Sequence, residues 1–368
     1  MKNSIGTSVI LTLAGESHGP GITAILDGFA PGVPVDEAFI AAQLARRRPS
    51  GPTDTARREK DPFSITSGVL GGFTTGAPLT IFIPNEDVRS SDYEALQGLP
   101  RPSHADYTAH VKYAGFEDLR GGGHFSGRVT AGLVAAGAIA LSALRAKGIR
   151  VGTHILECAG IKDIPFGPDP SEQIDLVSSL DFPVLSPVRG SMEAAILEAR
   201  AAGDSVGGII QTAVTGLPAG VGEPRWSSLD GALAGAVMSL GAIKGIEFGD
   251  GFALASMRGS EANDSLCLRD GSVGTLTNHG GGIAGGISNG MPVVFNAVVK
   301  PTPSISLPQQ TVDLRTGTES PVSVPGRHDP AIVRRMCVVV SSLVALVLCD
   351  QLALRFGTDY LTPVSQAL

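Results

Sequence analysis

Residues 120–128 read RGGGHFSGR, which gathers bare backbone, an imidazole, a hydroxyl and two guanidiniums into one short stretch. Backbone N–H groups and guanidiniums hold anionic oxygens, and an imidazole titrating near ~6.5 moves protons at neutral pH. Other histidines sit beside charged or small polar neighbours: His18 in GESHG, His104 in RPSHAD and His328 in GRHDP. Phosphate has its second ionisation near ~6, so an imidazolium is a suitable proton donor to a departing phosphate. In KPTPS, Lys300 with Thr302 and Ser304 sets an ammonium and hydroxyls on a proline-stiffened loop, which suits phosphate. His110 and His154 read as ordinary surface or core residues. Asp329 has two readings, as the N-cap of a final helix or as a proton relay beside His328. Glu16, His18, His104 and Asp106 could gather round a metal. No HxH or HExxH spacing supports that, and no metal is expected.

The charge balance narrows the ligand. Lys and Arg total 28 against 35 Asp and Glu, a net charge of −7 that argues against a general nucleic-acid binder. Residues 46–60, RRRPSGPTDTARREK, form a local basic exception. On an acidic chain such a patch fits a small anion better than a long polyanion. Its bland reading is a solvated face, with the arginines favouring a helix C-terminus. The cysteines, Cys158, Cys267, Cys337 and Cys349, are scattered without a CxxC pair, which fits reduced thiols and a cytoplasmic protein. The N-terminal MKNSIGTSVILTLAGESHG reads as an opening strand rather than a signal peptide. The uncharged run at 336–349 is shorter than the ~20 residues of a membrane span, so a buried helix and no membrane are expected.

These residues need elements to position them. The spacing predicts a helix from Asp36 to Arg48 and a long buried helix from Ser126 to Lys147, stopped by Gly148. Further helices are expected at 191–202 and 228–240. A final helix is expected from Pro330 to Phe356, with Asp329 as N-cap and Pro330 at its first position. Strands are predicted within 65–83 and at 149–156, 206–215, 243–248 and 292–299. Two of the long helices follow loops rich in Gly, His and Arg, so their N-termini could converge on one anion. GPGITA at 19–24 and GGGIAG at 280–285 match a dinucleotide fingerprint on paper. Gly and Pro recur too soon after each for the required helix, so both are rejected as such sites. With no linker apparent, the whole chain, 1–368, is expected to form a single compact α+β domain.

Taken together, the motifs GESHG (15–19), ARRRP (45–49), RPSHADYT (101–108), RGGGHFSGRVTAG (120–132), GLPAGVGEP (216–224), KGIEFGDG (244–251), GGIAGGISNGMP (281–292), KPTPSI (300–305) and GRHDP (326–330) resemble the chorismate synthase family along nearly the whole chain. The resemblance implies a sandwich of antiparallel β-sheets and long buried helices, in a homotetramer. It implies the anti-1,4-elimination of phosphate from 5-enolpyruvylshikimate 3-phosphate to give chorismate, with reduced FMN as a cofactor that is not consumed. A separate reductase, drawing ultimately on NADPH, would keep the flavin reduced. His18, His104 and Asp329 would be catalytic, and Arg46, Arg48 and Arg128 would grip the substrate. FMN would lie against His124, Phe125, Ser126, Gly241, Ala242, Gly285, Lys300, Pro301, Thr302, Pro303, Ser304 and Arg327. The chain departs from the family at Ser103 and Gly241, where glycine and asparagine are common, and in a shortened segment after the three arginines. Two other readings compete, a metal-dependent phosphoester hydrolase using the same residues and a non-catalytic binder of anionic metabolites.

Overall fold

The computed structural model of the chain describes residues 2–55, 59–86, 98–269, 271–324 and 328–363. Its helices are α1 (Glu37–Arg47), α2 (Asp106–Tyr113), α3 (Thr130–Ala146), α4 (Ser171–Ser179), α5 (Arg189–Ala201), α6 (Leu229–Met238), α7 (Gly259–Ala262) and α8 (Val333–Phe356). One five-stranded antiparallel sheet runs in the order Ser4–Ile5, Ile10–Ala14, Gly21–Asp27, Leu79–Pro84, Ser64–Ser67. The second runs Ile243–Phe248, Val293–Val299, Gly208–Thr215, Arg150–Cys158, Ile161–Lys162 and is also antiparallel.

Side-chain alternation builds the sheets. Leu79, Ile81 and Ile83 are buried while their neighbours are not, and Val293, Phe295, Ala297 and Val299 repeat the pattern. That period of two turns one face of each sheet to the core. α3 and α8 are apolar nearly all round and fill the space between. α3 packs on Gly21–Asp27 and Leu79–Pro84, α8 packs on Arg150–Cys158 and Gly208–Thr215, and the two helices pack on each other. The layers are therefore sheet, helix, helix, sheet, the sandwich that the motifs imply. α8 and the segment Gly127–Ala146 are long and apolar enough to cross a membrane, but 94% and 78% of their most apolar windows are buried inside the protein. Small residues let α3 and α8 approach closely: a Cβ on Gly137 would lie 2.7 Å from Ser342 Cα. Thr153 Oγ1 bonds Thr212 Oγ1 on the neighbouring strand of the second sheet (2.9 Å) and ties that sheet to α8 through Ser341 Oγ (2.8 Å).

Asp36 caps α1, accepting the Phe39 N–H at 3.0 Å, as its position predicts. Ser126 accepts the Arg128 N–H at 3.3 Å, but a short 3₁₀ turn, Gly127–Val129, intervenes before α3. The last helix differs more. It begins at Val333, not Pro330, and Asp329 is not its cap. The Pro330 carbonyl, which a helix would direct to its own fourth residue, accepts instead from Val206 N at 2.8 Å. Neither paper fingerprint opens a helix. GPGITA runs into the strand Gly21–Asp27, and GGGIAG leads into the pair Ile283–Ala284 and Ile287–Ser288.

Candidate active site

The glycine stretch is the centre of the site. Gly121, Gly122 and Gly123 have φ of 62°, 86° and 52°, a left-handed backbone that side chains resist. The Gly123 carbonyl accepts the Ser17 N–H at 3.0 Å, which docks the GESHG loop on it. A Cβ on Gly121 would collide with the His18 ring and lie 2.6 Å from Ser17 Oγ. A Cβ on Gly122 would lie 3.6 Å from His104 Nε2. His18 and His104, from separate loops, thus rest on consecutive glycines, whose Cα atoms are about 3.8 Å apart.

His104 is oriented from behind. Its Nδ1 lies 2.5 Å from Asp106 Oδ1. Asp106 also receives the Arg101 backbone N–H (3.0 Å), Nε (2.8 Å) and Nη2 (2.9 Å). Burial works to raise the Asp106 pKa, but bonds from Arg101 and His104 hold it well below the usual carboxylate range. An ionised Asp106 fixes the proton on His104 Nδ1 and leaves Nε2, on the glycine side, to exchange one. Arg101 Nη1 continues to Ser304 Oγ at 3.1 Å.

From there the contacts run in a closed circuit. In the segment that holds Ser304, Thr302 Oγ1 donates to the Asp329 carbonyl at 2.6 Å. The Asp329 carboxylate accepts the Thr55 N–H (3.1 Å) and Arg335 Nη1 (2.8 Å). Arg335 Nε donates to the Arg47 carbonyl at 2.8 Å. Arg47 Nη2 reaches Glu59 (2.5 Å) and Asp61 (3.0 Å), and both carboxylates also take Arg128 Nη1. Arg128 Nε donates to Asn85 Oδ1 at 2.8 Å, and Asn85 Nδ2 donates to the Glu16 and Gly19 carbonyls at 2.9 and 2.8 Å. The last step returns to the loop that carries His18. Burial opposes the Glu59 charge, yet Arg47, Arg128 and Arg335 bring its pKa down to about 2. Burial likewise opposes the Arg335 charge, and Asp329, Glu59 and Asp54 more than offset it, so its pKa is raised. The starts of α3 and α8, marked by Arg128 and Arg335, are joined through Glu59 and Arg47 on this circuit.

The chorismate synthase family model matches residues 9–353 of the chain. The chain belongs to the chorismate synthase family. The chorismate synthase of Aeropyrum pernix is 46% identical over 357 residues, covering 96% of this chain and 93% of that protein. The enzymes of Methanocella arvoryzae and Wolinella succinogenes are each 45% identical, over 354 and 360 residues, covering 95% and 96% of this chain and 94% and 96% of their own lengths. A solved crystal structure of chorismate synthase superposes with a TM-score of 0.77 at 29% identity, covering 98% of this chain and 96% of the other. As a member of the family the chain is a lyase that forms chorismate by eliminating phosphate.

Within this chorismate synthase fold, the residues expected to do chemistry fall into groups. His18, His104, Ser126, Arg128, Thr302, Ser304 and Asp329 lie on or beside the circuit. His124 Nδ1 lies 3.4 Å from the Gly15 carbonyl, and Phe125 packs edge-on to His124 and Tyr113. Lys300 N donates to the Ala242 carbonyl at 2.9 Å, which places Gly241 and Ala242 beside the KPTPS segment. Lys300 Nζ contacts the Pro301 carbonyl at 3.3 Å. Burial, then the nearby Lys244 charge, lowers the Lys300 pKa. The Pro303 carbonyl accepts from Gln309 Nε2 at 3.5 Å. Arg48, at the end of α1, donates to the Lys60 carbonyl. Arg46 faces elsewhere, bonding Gln43 Oε1 (3.1 Å) and the Val177 carbonyl (3.2 Å). Gly285 turns the Ile283–Ser288 hairpin, next to the start of α6, whereas Gly241 follows that helix's end. Arg327 lies outside the described residues.

Sequence reasoning passed over Arg47, Asn85, Arg101, Asp61 and Arg335. Arg101 and Asp106 had a signal, since both flank His104 in one motif. Arg47 lay in the ARRRP motif, but nothing there showed that it is buried against carboxylates, and Asn85, Asp61 and Arg335 had no signal, because most of their partners are remote in the chain. Asp106 meets His104 and Arg101, and among the described residues no group of three or more His, Cys, Asp or Glu is arranged to hold a metal ion. His154 is fully buried, with Nδ1 3.4 Å from Asp163, and His110 pairs with Glu117 at 3.0 Å.

Proposed function

We propose that the circuit encloses one site in which reduced FMN and 5-enolpyruvylshikimate 3-phosphate lie together. The observation that carries this reading is the seating of His18 and His104 on adjacent glycines. His18 donates the proton that the departing phosphate needs. His104, with Nδ1 committed to Asp106, offers Nε2 to hold or exchange a proton near the flavin N1. Asp329 helps move a proton near N5. Arg48 grips the substrate, with Arg128 beside it, whereas Arg46, expected to join them, is turned to Gln43 and the Val177 carbonyl.

The residues present fit the flavin. A Cβ on Gly127 or on Gly241 would meet nothing within 4 Å, so the backbone is open beside Ser126 and beside Ala242. Lys300 and Lys244 repel one another, which a bound phosphate would relieve. His124, Phe125, Ser126, Gly241, Ala242, Lys300 through Ser304 and Arg327 would hold the cofactor, and Gly285 would join them from a second copy in the expected homotetramer. When bound, reduced FMN supplies electron density to the breaking C–O bond and is regenerated, which suits an elimination with no net redox change. A separate reductase, fed by NADPH in the cytoplasm, keeps it reduced.

An anaerobic assay tests the reading, with substrate, dithionite-reduced FMN and chorismate absorbance as the signal. Chorismate is expected to form with reduced FMN, to be absent without it and to be unaffected by a chelator. Turnover that needs no flavin, or that a chelator abolishes, would instead favour the phosphoester hydrolase. Binding of the substrate with no turnover would favour the non-catalytic binder.

A further inference from the structure

We infer that Asn85 is a positioning residue that sets His18 relative to Arg128. The inference rests on the proposed function of that site. Asn85 follows the strand Leu79–Pro84, and its backbone N–H donates to the Pro20 carbonyl at 3.1 Å. Its Nδ2 spans the His18 loop, donating to the carbonyls of Glu16 at 2.9 Å and Gly19 at 2.8 Å. Its Oδ1 accepts Arg128 Nε at 2.8 Å, while the preceding Pro84 carbonyl accepts Arg128 Nη2 at 2.9 Å. On its other side the same loop is pinned by Ser17 N to the Gly123 carbonyl. The His18 loop is therefore clamped between the glycine stretch and one amide.

The chemistry requires an amide. Asparagine carries donors and an acceptor in one plane. Aspartate keeps the acceptor for Arg128 but turns a lone pair toward the two loop carbonyls. Leucine matches the shape roughly and offers neither. Asn85 holds no expected role in proton transfer, so its effect on the reaction passes through His18, with Arg128 as the fixed point to which the amide is anchored.

A double-mutant cycle with His18 tests this. Asn85→Asp and Asn85→Leu are each expected to lower kcat by about 10²-fold, the scale of an ångström-level misplacement of a catalytic group. The Tm is expected to stay close to that of the wild type in Asn85→Asp. In a His18→Ala background the same changes are expected to lower kcat by less than about 2-fold, because coupled sites are non-additive. Equal losses in both backgrounds would overturn the inference. A second readout does not need turnover. In protein with isotope-labelled histidine, Asn85→Asp is expected to shift the His18 imidazole resonances and leave those of buried His154 in place. Identical His18 resonances and titration curves in wild type and variant would overturn the inference as well. A wild-type enzyme with no chorismate-forming activity would instead sink the proposed function, and the resonance comparison would still decide the role of Asn85.

Discussion

At the scale of single residues, the site works by assigning each imidazole a fixed environment. His104 has a carboxylate behind Nδ1 and a glycine in front of Nε2. His18 lies against Gly121. If both are acid–base groups, His18→Ala and His104→Ala should each lower turnover by roughly 10²–10⁴-fold, measured anaerobically with reduced flavin. Near-normal rates in both would remove these roles. The residue departures from the family have local physical readings. Ser103 has φ of 57°, the left-handed region where glycine is at ease. Ser103→Gly is therefore expected to raise stability by up to about 1 kcal/mol in urea denaturation. A loss of stability would show that the serine side chain contributes more than its backbone strain costs. The RPSHAD motif already pointed to His104. It could not show that Asp106 and Arg101 orient that ring, because a flanking residue can face either way until the turn is known.

At the scale of elements, helix contacts bring the pieces of the site to one place. Arg334 and Arg335, at the start of α8, donate to the carbonyls of Arg46, Arg47 and Arg48 at the end of α1. Those guanidiniums stand where a helix C-terminus favours cations. The α3–α8 crossing depends on Gly137, so Gly137→Ala is expected to destabilise by about 1–3 kcal/mol through overpacking against the Ser342 backbone. An unchanged denaturation midpoint would contradict that packing. The buried quartet of Arg47, Glu59, Asp61 and Arg128 adds a pH dependence. The Glu59 pKa falls from 4.5 to about 2 on folding. A depressed carboxylate contributes stability above its unfolded pKa and loses it as pH falls through its folded pKa. Stability should therefore decline between about pH 4.5 and about pH 2, by on the order of 3 kcal/mol from this group. Glu59→Gln should be less stable at neutral pH and show a shallower decline in that window. A decline of wild-type steepness in the variant would assign it to other groups. Most of these elements were legible from period and caps, as with Asp36 and the alternation in Val293–Val299. The start of α8 was not, because the Val206 N–H takes the Pro330 carbonyl that a helix start would otherwise direct to its own fourth residue. α2 and α4, of eight and nine residues, were missed, being short.

At the scale of the whole molecule, the two sheets and the paired helices act as a frame on which distant loops meet. Thr55 and Asp329 bond across 274 positions in sequence, and Arg128 and Glu59 across 69. Such pairs have no local pattern, so the sequence could name the histidines and arginines of the site without showing the circuit that joins them. The basic run at 46–60 illustrates the gap. It reads as a patch open to an anion, yet Arg47 is almost wholly buried and bound to carboxylates, and Arg46 bonds its own helix and the Val177 carbonyl of α4. In the proposed function one enclosure, bounded by His18, His104 and Asp329, holds cofactor and substrate together. The most direct measurement is a crystal structure of the protein with FMN and 5-enolpyruvylshikimate 3-phosphate both bound. His18 is expected within hydrogen-bond reach, about 2.6–3.2 Å, of the departing phosphate, with the flavin ring between His104 and the substrate. Ligands seated away from those histidines, or on separate surfaces, would contradict it.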